Sequence, residues 1–187
     1  MESDSNQIEH LKYELKLNDS QWIDLLPLVK TLHLQKNSLL SGTSGDLFFV
    51  SSGFLVENQD FGTGELTMVR FFQPAEMFVY PDKVRDSQLC STEQTVLVRI
   101  DLGREHQVQF LPEHLYELLE QRKQAAAEQY HKRQEFLSGR KYLRYKKFMI
   151  AFPGVASHLS NRQLAGYLDV NVTYLSTTKN SGRNIKH

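Results

Sequence analysis

The spacing of the apolar residues changes near Pro112, and this change constrains the fold more than any other feature of the sequence. Between residues 31 and 100 the apolar residues form short runs separated by glycines, which is typical of strands in an all-β sandwich or barrel. After Pro112 they follow a helical period instead. The sequence therefore predicts an α+β protein, with an N-terminal β-roll or jelly roll and helices after it.

Five apolar runs predict the strands of this β-roll. They cover residues 39–40, 47–50, 54–56, 66–72 and 95–100. Residues 60–64 contain two glycines and predict a hairpin tip between two of these strands. Ahead of the β-pattern, residues 1–17 predict a polar lead-in. Residues 18–30 predict a short helix with Trp22, Leu25 and Leu26 on one face and a break or kink at Pro27.

A long helix is predicted over residues 113–137. At about 1.5 Å per residue it would be roughly 37 Å long, and its middle is too small and polar for an ordinary core helix. A heptad seam is approximated by Leu115, Leu119, Ala126 and Arg133. The helix could therefore pair with its copy in a homodimer. The same pattern is compatible with a helix that lies on its own β-domain.

Ser138 and Gly139 are predicted to end this long helix, because glycine readily adopts the left-handed conformation of a C-cap. Another helix is predicted over residues 141–152, with Phe148 and Phe152 on its apolar face. A Pro-Gly pair follows and predicts its end.

Residues 159–176 carry the motif on which the functional prediction depends. Ser160 and Gln163 have the spacing of a capping box, which predicts a helix start, and Asn171 predicts a second start after a tight turn. Residues on the buried faces of the two helices are predicted to be Leu164, Ala165, Leu168 and Leu175. Two short capped helices around a small-residue contact are typical of a helix-turn-helix, whose second helix enters the major groove of DNA. A plain helical hairpin is the alternative.

The charge is distributed unevenly along the chain. The protein has 22 basic and 22 acidic residues, but residues 138–187 contain nine Lys and Arg against one Asp. This tail therefore carries a net charge of +8, and residues 1–137 carry −8. Such a segregation indicates an anionic partner for the tail, and double-stranded DNA fits it. A solvated basic face without a partner is the alternative for charge alone.

Several classes of protein are excluded or disfavoured by the composition. No run of about 18 apolar residues occurs and the N-terminus is acidic, so a cytoplasmic protein without a membrane partner is predicted. The single cysteine, Cys90, has no second cysteine to pair with and is predicted to be a small core residue. The seven histidines lack the spacing of a metal site. An enzyme of the cupin type is therefore not expected, and neither is a cofactor.

The strand pattern, the long helix and the motif at residues 159–178 together resemble the Crp/Fnr family of bacterial regulators. The strand part consists of Leu39-Leu40, Gly45 and the run LFFVSSG at residues 47–53. The resemblance covers nearly the whole chain and is closest to short-tailed members common in Bacteroidetes. It implies a β-roll effector-binding-like domain of the cyclic-nucleotide-binding type at residues 1–112, a dimerisation helix at 113–137 and a winged-helix-like DNA-binding domain at 138–187. It also implies a homodimeric transcription regulator that reads a two-fold symmetric operator.

The positions that would hold a cyclic nucleotide depart from the pattern of that family. Family members that bind cyclic nucleotides use a Gly-Glu pair for the ribose and an Arg-Ser pair for the phosphate. The aligned residues here are Val79 and Tyr80, and Arg85 and Asp86. Asp86 would place a negative charge where the phosphate lies, and Tyr80 is bulkier than the missing carboxylate. The resemblance therefore implies a β-roll that has lost its cyclic-nucleotide site, and either another small-molecule effector or none.

The second helix of the motif departs from the family as well, because it offers no Arg or Glu to the base edges. The DNA-binding residues are predicted to be Ser160, Asn161, Arg162, Asn171, Val172, Thr173, Tyr174, Thr177 and Lys179. The threonines and the tyrosine lack the bidentate guanine contact of an Arg, so weak sequence discrimination and a steep salt dependence are predicted. Residues 180–187 are predicted to be disordered. The alternative function is a ligand-binding or protein-interaction module with a degenerate helix-turn-helix.

Overall fold

The computed structural model describes residues 2–80, 87–102 and 113–183, and the side chains of residues 7–180 within these ranges. The first part contains two helices, and seven strands follow them. The helices are α1 (Glu2–Glu14) and α2 (Asp19–Leu25). The strands are β1 (Val29–Leu34), β2 (Leu47–Ser52), β3 (Leu55–Asp60), β4 (Leu66–Phe72), β5 (Met77–Val79), β6 (Ser87–Ser91) and β7 (Thr95–Ile100). The C-terminal part contains α3 (Glu113–Ser138), α4 (Lys141–Ala151), α5 (Asn161–Leu168) and α6 (Val172–Arg183).

The strands form two antiparallel sheets. A four-stranded sheet has the order β1-β7-β2-β5, and a three-stranded sheet has the order β4-β3-β6. Gly53 makes the turn between β2 and β3 with a φ of 85°, and a Cβ there would lie 2.5 Å from the carbonyl oxygen of Gln94. Only glycine fits such a position. The mixed helix-and-strand fold with antiparallel sheets confirms the predicted class.

The sheets are packed face to face, and both outer faces are covered by helices. The core between the sheets contains Phe48, Val50, Leu55, Phe72, Phe78, Leu89 and Leu97. On the outer face of the four-stranded sheet, Phe49 and Val98 pack against α1, α2 and the first turns of α3. Because β2 is buried on both sides, its apolar run is continuous and does not alternate with polar residues.

Three strands were not predicted, and one predicted run is not a strand. β1 begins at Val29, inside the helix predicted over residues 18–30, because α2 ends at Leu25 and a 3-10 turn with Pro27 follows it. β5 has only three residues, and β6 has the sequence SQLCS, which contains too few apolar residues to be recognised. Leu39 forms a single bridge to Cys90, and Leu40 is buried without belonging to a strand. The predicted hairpin tip is confirmed, because the carboxylate of Asp60 accepts hydrogen bonds from the backbone amides of Gly62, Thr63 and Gly64.

The prediction of a polar lead-in was wrong. α1 occupies this segment, and Leu11 and Leu15, one helical turn apart, are buried against the four-stranded sheet. Trp22 and Leu25 are buried in α2 as predicted, whereas Leu26 is 45% exposed, because a 3-10 turn follows α2 and rotates this side chain outward.

The C-terminal helices cover the outer face of the three-stranded sheet. Met68 and Phe71 of β4 share one apolar cluster with Phe148 of α4 and with Leu164 and Tyr167 of α5. The ring centroids of Phe71 and Tyr167 are 5.9 Å apart. The helices that follow α3 therefore belong to a core that they share with the β-roll. None of the helices in the described ranges is long and apolar enough to cross a membrane.

The ends of two predicted segments differ from expectation. α3 ends at Ser138 as predicted, but Gly139 does not adopt the left-handed conformation, since its φ lies outside the positive range. Instead its amide donates to the carbonyl of Phe136 and continues the last turn. Disorder from residue 180 was also wrong as far as Arg183, because α6 continues to that residue. Residues 184–187 lie outside the described part of the chain.

Candidate nucleic-acid interface

The start of α5 is defined by the capping box predicted from the sequence. Oγ of Ser160 accepts a hydrogen bond of 3.1 Å from the amide of Gln163, and Oε1 of Gln163 accepts one of 2.8 Å from the amide of Ser160. Both residues satisfy amides that have no partner within the helix. Leu164 and Leu168 are fully buried, as predicted. They attach α5 to the core, and the N-terminal end of the helix remains at the surface.

A tight turn joins α5 to α6. Asp169 adopts the left-handed conformation with a φ of 48°, which aspartate tolerates better than most residues. The amide of Val170 donates to the carbonyl of Ala165 at 3.0 Å. Oδ1 of Asn171 accepts from the amide of Thr173 at 2.8 Å, which confirms the second predicted cap. With Leu175 fully buried, α6 lies across α5 and turns its opposite face outward.

The outward face of α6 presents the residues predicted to contact DNA bases. Val172 is 42% exposed and Tyr174 is 40% exposed, and Thr173 and Thr177 are exposed as well. Oγ1 of Thr177 donates to the carbonyl of Thr173 at 3.1 Å. A hydroxyl has one donor, so Thr177 could meet an external group only as an acceptor.

Asn161 and Lys179 lie together although 18 residues separate them. Nζ of Lys179 donates to Oδ1 of Asn161 at 2.7 Å, and Nδ2 of Asn161 donates to Oγ of Ser176 at 3.4 Å. The ammonium group also lies 5.9 Å from the ring centroid of Tyr145. Two side chains predicted separately to bind DNA thus lie together where α5 and α6 cross, beside exposed Ser160 and Arg162.

The basic charge of the tail is divided between the surface and the interior. Arg140, Lys141, Lys146, Lys147 and Arg162 are exposed. Arg144 is buried and donates to backbone carbonyls, so its charge does not contribute to an exposed basic surface. The one acidic residue, Asp169, lies 3.1 Å from Nη1 of Arg144 and 3.7 Å from Nζ of Lys141. The only negative charge of the tail is therefore compensated within the protein.

A cleft of about 390 Å³ lies between the β-roll and α3, and two predicted effector residues line it. Val79 and Tyr80 meet Arg122, Lys123 and Tyr130 of α3 there. Nε of Arg122 is buried and has no hydrogen-bond partner among the described residues. The other predicted effector residues, Arg85 and Asp86, lie outside the described residues.

Tyr80 is held in one position at the edge of this cleft. Its hydroxyl donates to the carbonyl of Leu40 at 3.2 Å, and its amide donates to the carbonyl of Asp46 at 2.7 Å. The ring covers Gly42, where a Cβ would come within 2.6 Å of Cδ2 of Tyr80. The aromatic side chain therefore occupies space at the position where the resemblance implied a carboxylate.

A buried carboxylate at the base of the cleft was missed by sequence reasoning. Glu57 is 2% exposed and accepts from Nε of Arg70 at 2.8 Å, from Oγ of Ser87 at 2.7 Å and from the hydroxyl of Tyr130 at 2.6 Å. Burial, and then the bond to Glu57, raise the pKa of Tyr130 well above 10.0. The signal in the sequence was Arg70, a charge within the apolar run of β4.

A second, larger cleft of about 760 Å³ separates the β-roll from the start of α5. Its lining includes Lys36, Glu93, His158 and Arg162. The His158 ring stacks on Phe54 with 4.9 Å between centroids, and Nδ1 lies 3.2 Å from Oε2 of Glu93. Within the described ranges, no group of three or more His, Cys, Asp or Glu side chains could hold a metal ion.

The chain is similar to known proteins in structure but not in sequence. No protein-family model matches the chain, and no curated protein matches it. FixK2 from Bradyrhizobium japonicum is 12% identical over 83% of this chain and 85% of that chain, with a TM-score of 0.67. A transcriptional regulator of the CRP/FNR family from Thermus thermophilus is 13% identical over 83% of this chain and 87% of that chain, with a TM-score of 0.61. The c-di-GMP-responsive global regulator CLP from Xanthomonas campestris is 14% identical over 89% of this chain and 92% of that chain, with a TM-score of 0.63.

At these identities the likeness establishes the fold. The chain folds as CRP/FNR transcriptional regulators do, over most of its own length and most of theirs. The more specific prediction, a short-tailed subgroup common in Bacteroidetes, stays a prediction.

Proposed function

We propose that this protein is a transcription regulator that binds double-stranded DNA through α5 and α6, and not an enzyme. The observation that carries the proposal is the arrangement of two capped helices, joined by a left-handed residue, with α6 turning an exposed face outward. Such a pair is typical of a helix-turn-helix, whose second helix enters the major groove.

Phosphate contacts dominate the proposed interface. Lys179 and Arg162 provide positive charge, and the exposed N-terminal end of α5 near Ser160 adds the positive end of a helix dipole, which suits the phosphates of the DNA backbone. Asn161 holds Lys179 in place and can donate from its own amide group. Since these contacts are independent of sequence, the affinity should fall steeply as the salt concentration rises.

Base contacts are assigned to the N-terminal part of α6, with Asn171 as its cap. Val172 and Thr173 can pack against thymine methyl groups, and Tyr174 and Thr177 can accept hydrogen bonds from exocyclic amino groups. None of them makes the bidentate contact to guanine that Arg makes. We therefore propose a weak sequence preference superimposed on strong general binding.

A homodimer through residues 113–137 is part of the proposal. The middle of α3, around residues 120–128, is largely exposed, whereas its two ends are packed against the same chain. Leu115 and Arg133 of the predicted heptad seam are buried within their own chain, so they do not contribute to a seam. Tyr116 is 45% exposed, and we propose that a partner helix covers the exposed part of its side chain.

The β-roll at residues 1–112 is proposed to sense an anionic small molecule in the cleft against α3. Arg122 and Lys123 supply positive charge there, and Tyr80 obstructs the site that a cyclic nucleotide would need. We therefore expect no resident cofactor, and an effector other than cyclic AMP or GMP. Residues 138–187 are proposed to be the DNA-binding region.

A protein-interaction module with a degenerate helix-turn-helix is the second candidate. It is favoured by the two apolar or aromatic side chains, Val172 and Tyr174, that α6 exposes in place of basic residues. Exposed aromatic groups are common at protein interfaces, but the basic surface around them favours a nucleic acid.

The test is selection of duplexes from a library of genomic fragments by the purified full-length chain, followed by fluorescence anisotropy with an enriched duplex. We expect enrichment of a family of related sites. At low salt the protein should also bind unrelated duplexes, with an affinity only modestly lower than that for an enriched duplex. A double variant, Thr173→Ala with Thr177→Ala, should reduce the preference but keep the low-salt binding. Failure to bind any duplex at low salt would favour the interaction module.

A further inference from the structure

Arg144, the buried arginine of α4, connects the ends of two helices. Its Nε donates to the carbonyl of Gly139 at 3.1 Å, and its Nη2 donates to the carbonyl of Leu137 at 2.5 Å, both at the C-terminal end of α3. Its Nη1 donates to the carbonyls of Leu168 at 2.8 Å and Asp169 at 3.0 Å, at the C-terminal end of α5. One guanidinium group therefore satisfies carbonyls that both helices leave without partners.

Arg133 of α3 binds the same end of α5 from another side. Its Nε donates to the carbonyl of Tyr167 at 3.1 Å, and its Nη2 donates to that of Gly166 at 3.4 Å. The guanidinium carbon lies 5.7 Å from the centroid of the Tyr167 ring. Both arginines are 6% exposed. Together the two arginines donate hydrogen bonds to the carbonyls of four consecutive residues, 166–169, at the C-terminal end of α5.

The guanidinium of Arg144 places a positive charge at the C-terminal ends of α3 and α5, where the helix dipole is negative. The C-terminal ends of α3 and α5 both direct carbonyl oxygens toward Arg144, and a buried guanidinium is favourable only when such acceptors surround it. Lysine could not replace it, because an ammonium group lacks the planar fork that reaches acceptors on two helices at once.

We infer that Arg133 and Arg144 are positioning residues, which set the orientation of α6 relative to the long helix α3. The junction at residues 138–140 is consequently not a free hinge, and α3, α5 and α6 move as one body. The inference deepens the proposed function, since in a dimer formed through α3 it would fix the separation and tilt of the two DNA-reading helices.

The orientation can be measured without DNA. Spin labels are placed at two exposed positions, by Glu117→Cys on α3 and Thr177→Cys on α6, in a chain whose Cys90 is replaced by serine. Labelled chains are mixed with excess unlabelled chains, so that each labelled chain reports only its internal distance. Double electron–electron resonance then gives the distribution of the distance between the two labels.

A narrow distribution with one maximum is expected for the parent. Arg144→Gln should broaden this distance distribution or add a second maximum, because it removes the hydrogen bonds from Arg144 to carbonyls of both helices. Arg133→Gln should have a smaller effect of the same kind, because Arg133 makes only two such bonds among the described residues. Arg144→Lys keeps the charge and should not restore the narrow distribution. The matched control is Arg140→Gln, because Arg140 is an exposed cation that donates only to the hydroxyl of Tyr142 among the described residues.

Circular dichroism of each variant identifies those that remain folded, and only these are compared. Should Arg144→Gln fail to fold, Arg144→Lys and Arg133→Lys provide the comparison. A broad distribution in the parent, or an unchanged narrow one in a folded Arg144 variant, would overturn the inference.

Binding to an enriched duplex gives the second readout. Arg144→Gln should weaken it by about tenfold, the order expected from losing charge-assisted hydrogen bonds that hold the helix in place, while the salt slope stays unchanged. A loss of the salt slope in this variant would contradict a positioning role. If the parent binds no duplex at all, the proposed function fails, and the distance measurement still decides the positioning role.

Discussion

The hydroxyl of Tyr130 on α3 donates a hydrogen bond of 2.6 Å to the buried carboxylate of Glu57 on β3, 73 residues earlier in the chain. The same carboxylate accepts from Arg70, whose guanidinium lies over the rings of Phe72 and Tyr130. The long helix is thereby attached to the β-roll through a charged group at the base of the cleft that we assign to an effector.

Tyr130→Phe tests this attachment. The variant removes one hydrogen bond to a charged acceptor but leaves Glu57 with Arg70 and Ser87, so we expect a loss of about 1–2 kcal/mol in the free energy of unfolding. The free energy is measured by urea denaturation. Tyr13→Phe, at a position that is 78% exposed, is the control and should change little. Equal stability of the Tyr130 variant and the parent would show that the bond contributes nothing.

Glu76 should make the stability depend on pH. Burial raises the pKa of its carboxyl group above 4.5, although hydrogen bonds from Gln73 oppose the shift. A carboxyl with a raised pKa in the folded state stabilises the protein below its unfolded pKa, and this contribution is lost as the pH rises through the folded pKa. Glu76→Gln removes the charge, so the variant should be more stable than the parent at neutral pH. The difference should shrink as the pH is lowered, and denaturation midpoints across pH would show it. A difference that grows toward acid pH would contradict the assignment.

The capping box at the start of α5 should contribute to the free energy of unfolding, whether or not the protein binds DNA. Ser160→Ala leaves the amide of Gln163 without its acceptor, and the expected loss in the free energy of unfolding is about 1 kcal/mol. Ser176→Ala is the matched control. The Ser176 hydroxyl donates to the carbonyl of Val172, whose helix is already formed by backbone bonds, and accepts only a long bond of 3.4 Å from Asn161. In thermal denaturation, Ser160→Ala should therefore have a lower melting temperature than Ser176→Ala. The reverse order would contradict the capping role.

Lys179→Gln should reduce the salt dependence of DNA binding. Removing one phosphate contact lowers the slope of log affinity against log salt by about 1. Lys30→Gln is the control, because Lys30 is exposed on β1 in the other sheet, away from the C-terminal helices. The slopes are measured by fluorescence anisotropy with an enriched duplex. An unchanged slope in the Lys179 variant would remove this residue from the proposed interface.

Cys90 should react slowly with thiol reagents. Burial raises the pKa of its thiol, and the bond from Nδ2 of Asn58 at 3.3 Å only partly opposes this, so little thiolate exists at neutral pH. We expect the reaction with a disulfide reagent to be about tenfold or more slower than that of free cysteine. Denaturing the protein in urea should restore the ordinary rate. A native rate equal to that of the denatured chain would place the thiol at the surface.

The elements of this protein that depend on near neighbours in the chain were predictable. The capping box needs only Ser160 and Gln163, three residues apart, and the hairpin tip at residues 60–64 needs only Asp60 and its glycines. The continuous run of β2 and the helical period after Pro112 likewise reflect local burial. α1 was missed, because the buried Leu11 within it and Leu15 just after it are a weak signal among polar residues.

The contacts between distant segments were not predictable, because they depend on how the layers are stacked. Asn161 meets Lys179 only after α6 crosses α5, and Glu57 meets Tyr130 only after α3 lies along the sheet. The same applies to the basic charge of the tail. Its sum could be counted from the residues, whereas its division between exposed Arg162 and buried Arg144 depends on where two helix ends direct their carbonyls. Hydrophobic period and capping specify each helix by itself, but burial of a charge requires acceptors from several segments, and only the tertiary structure brings them together.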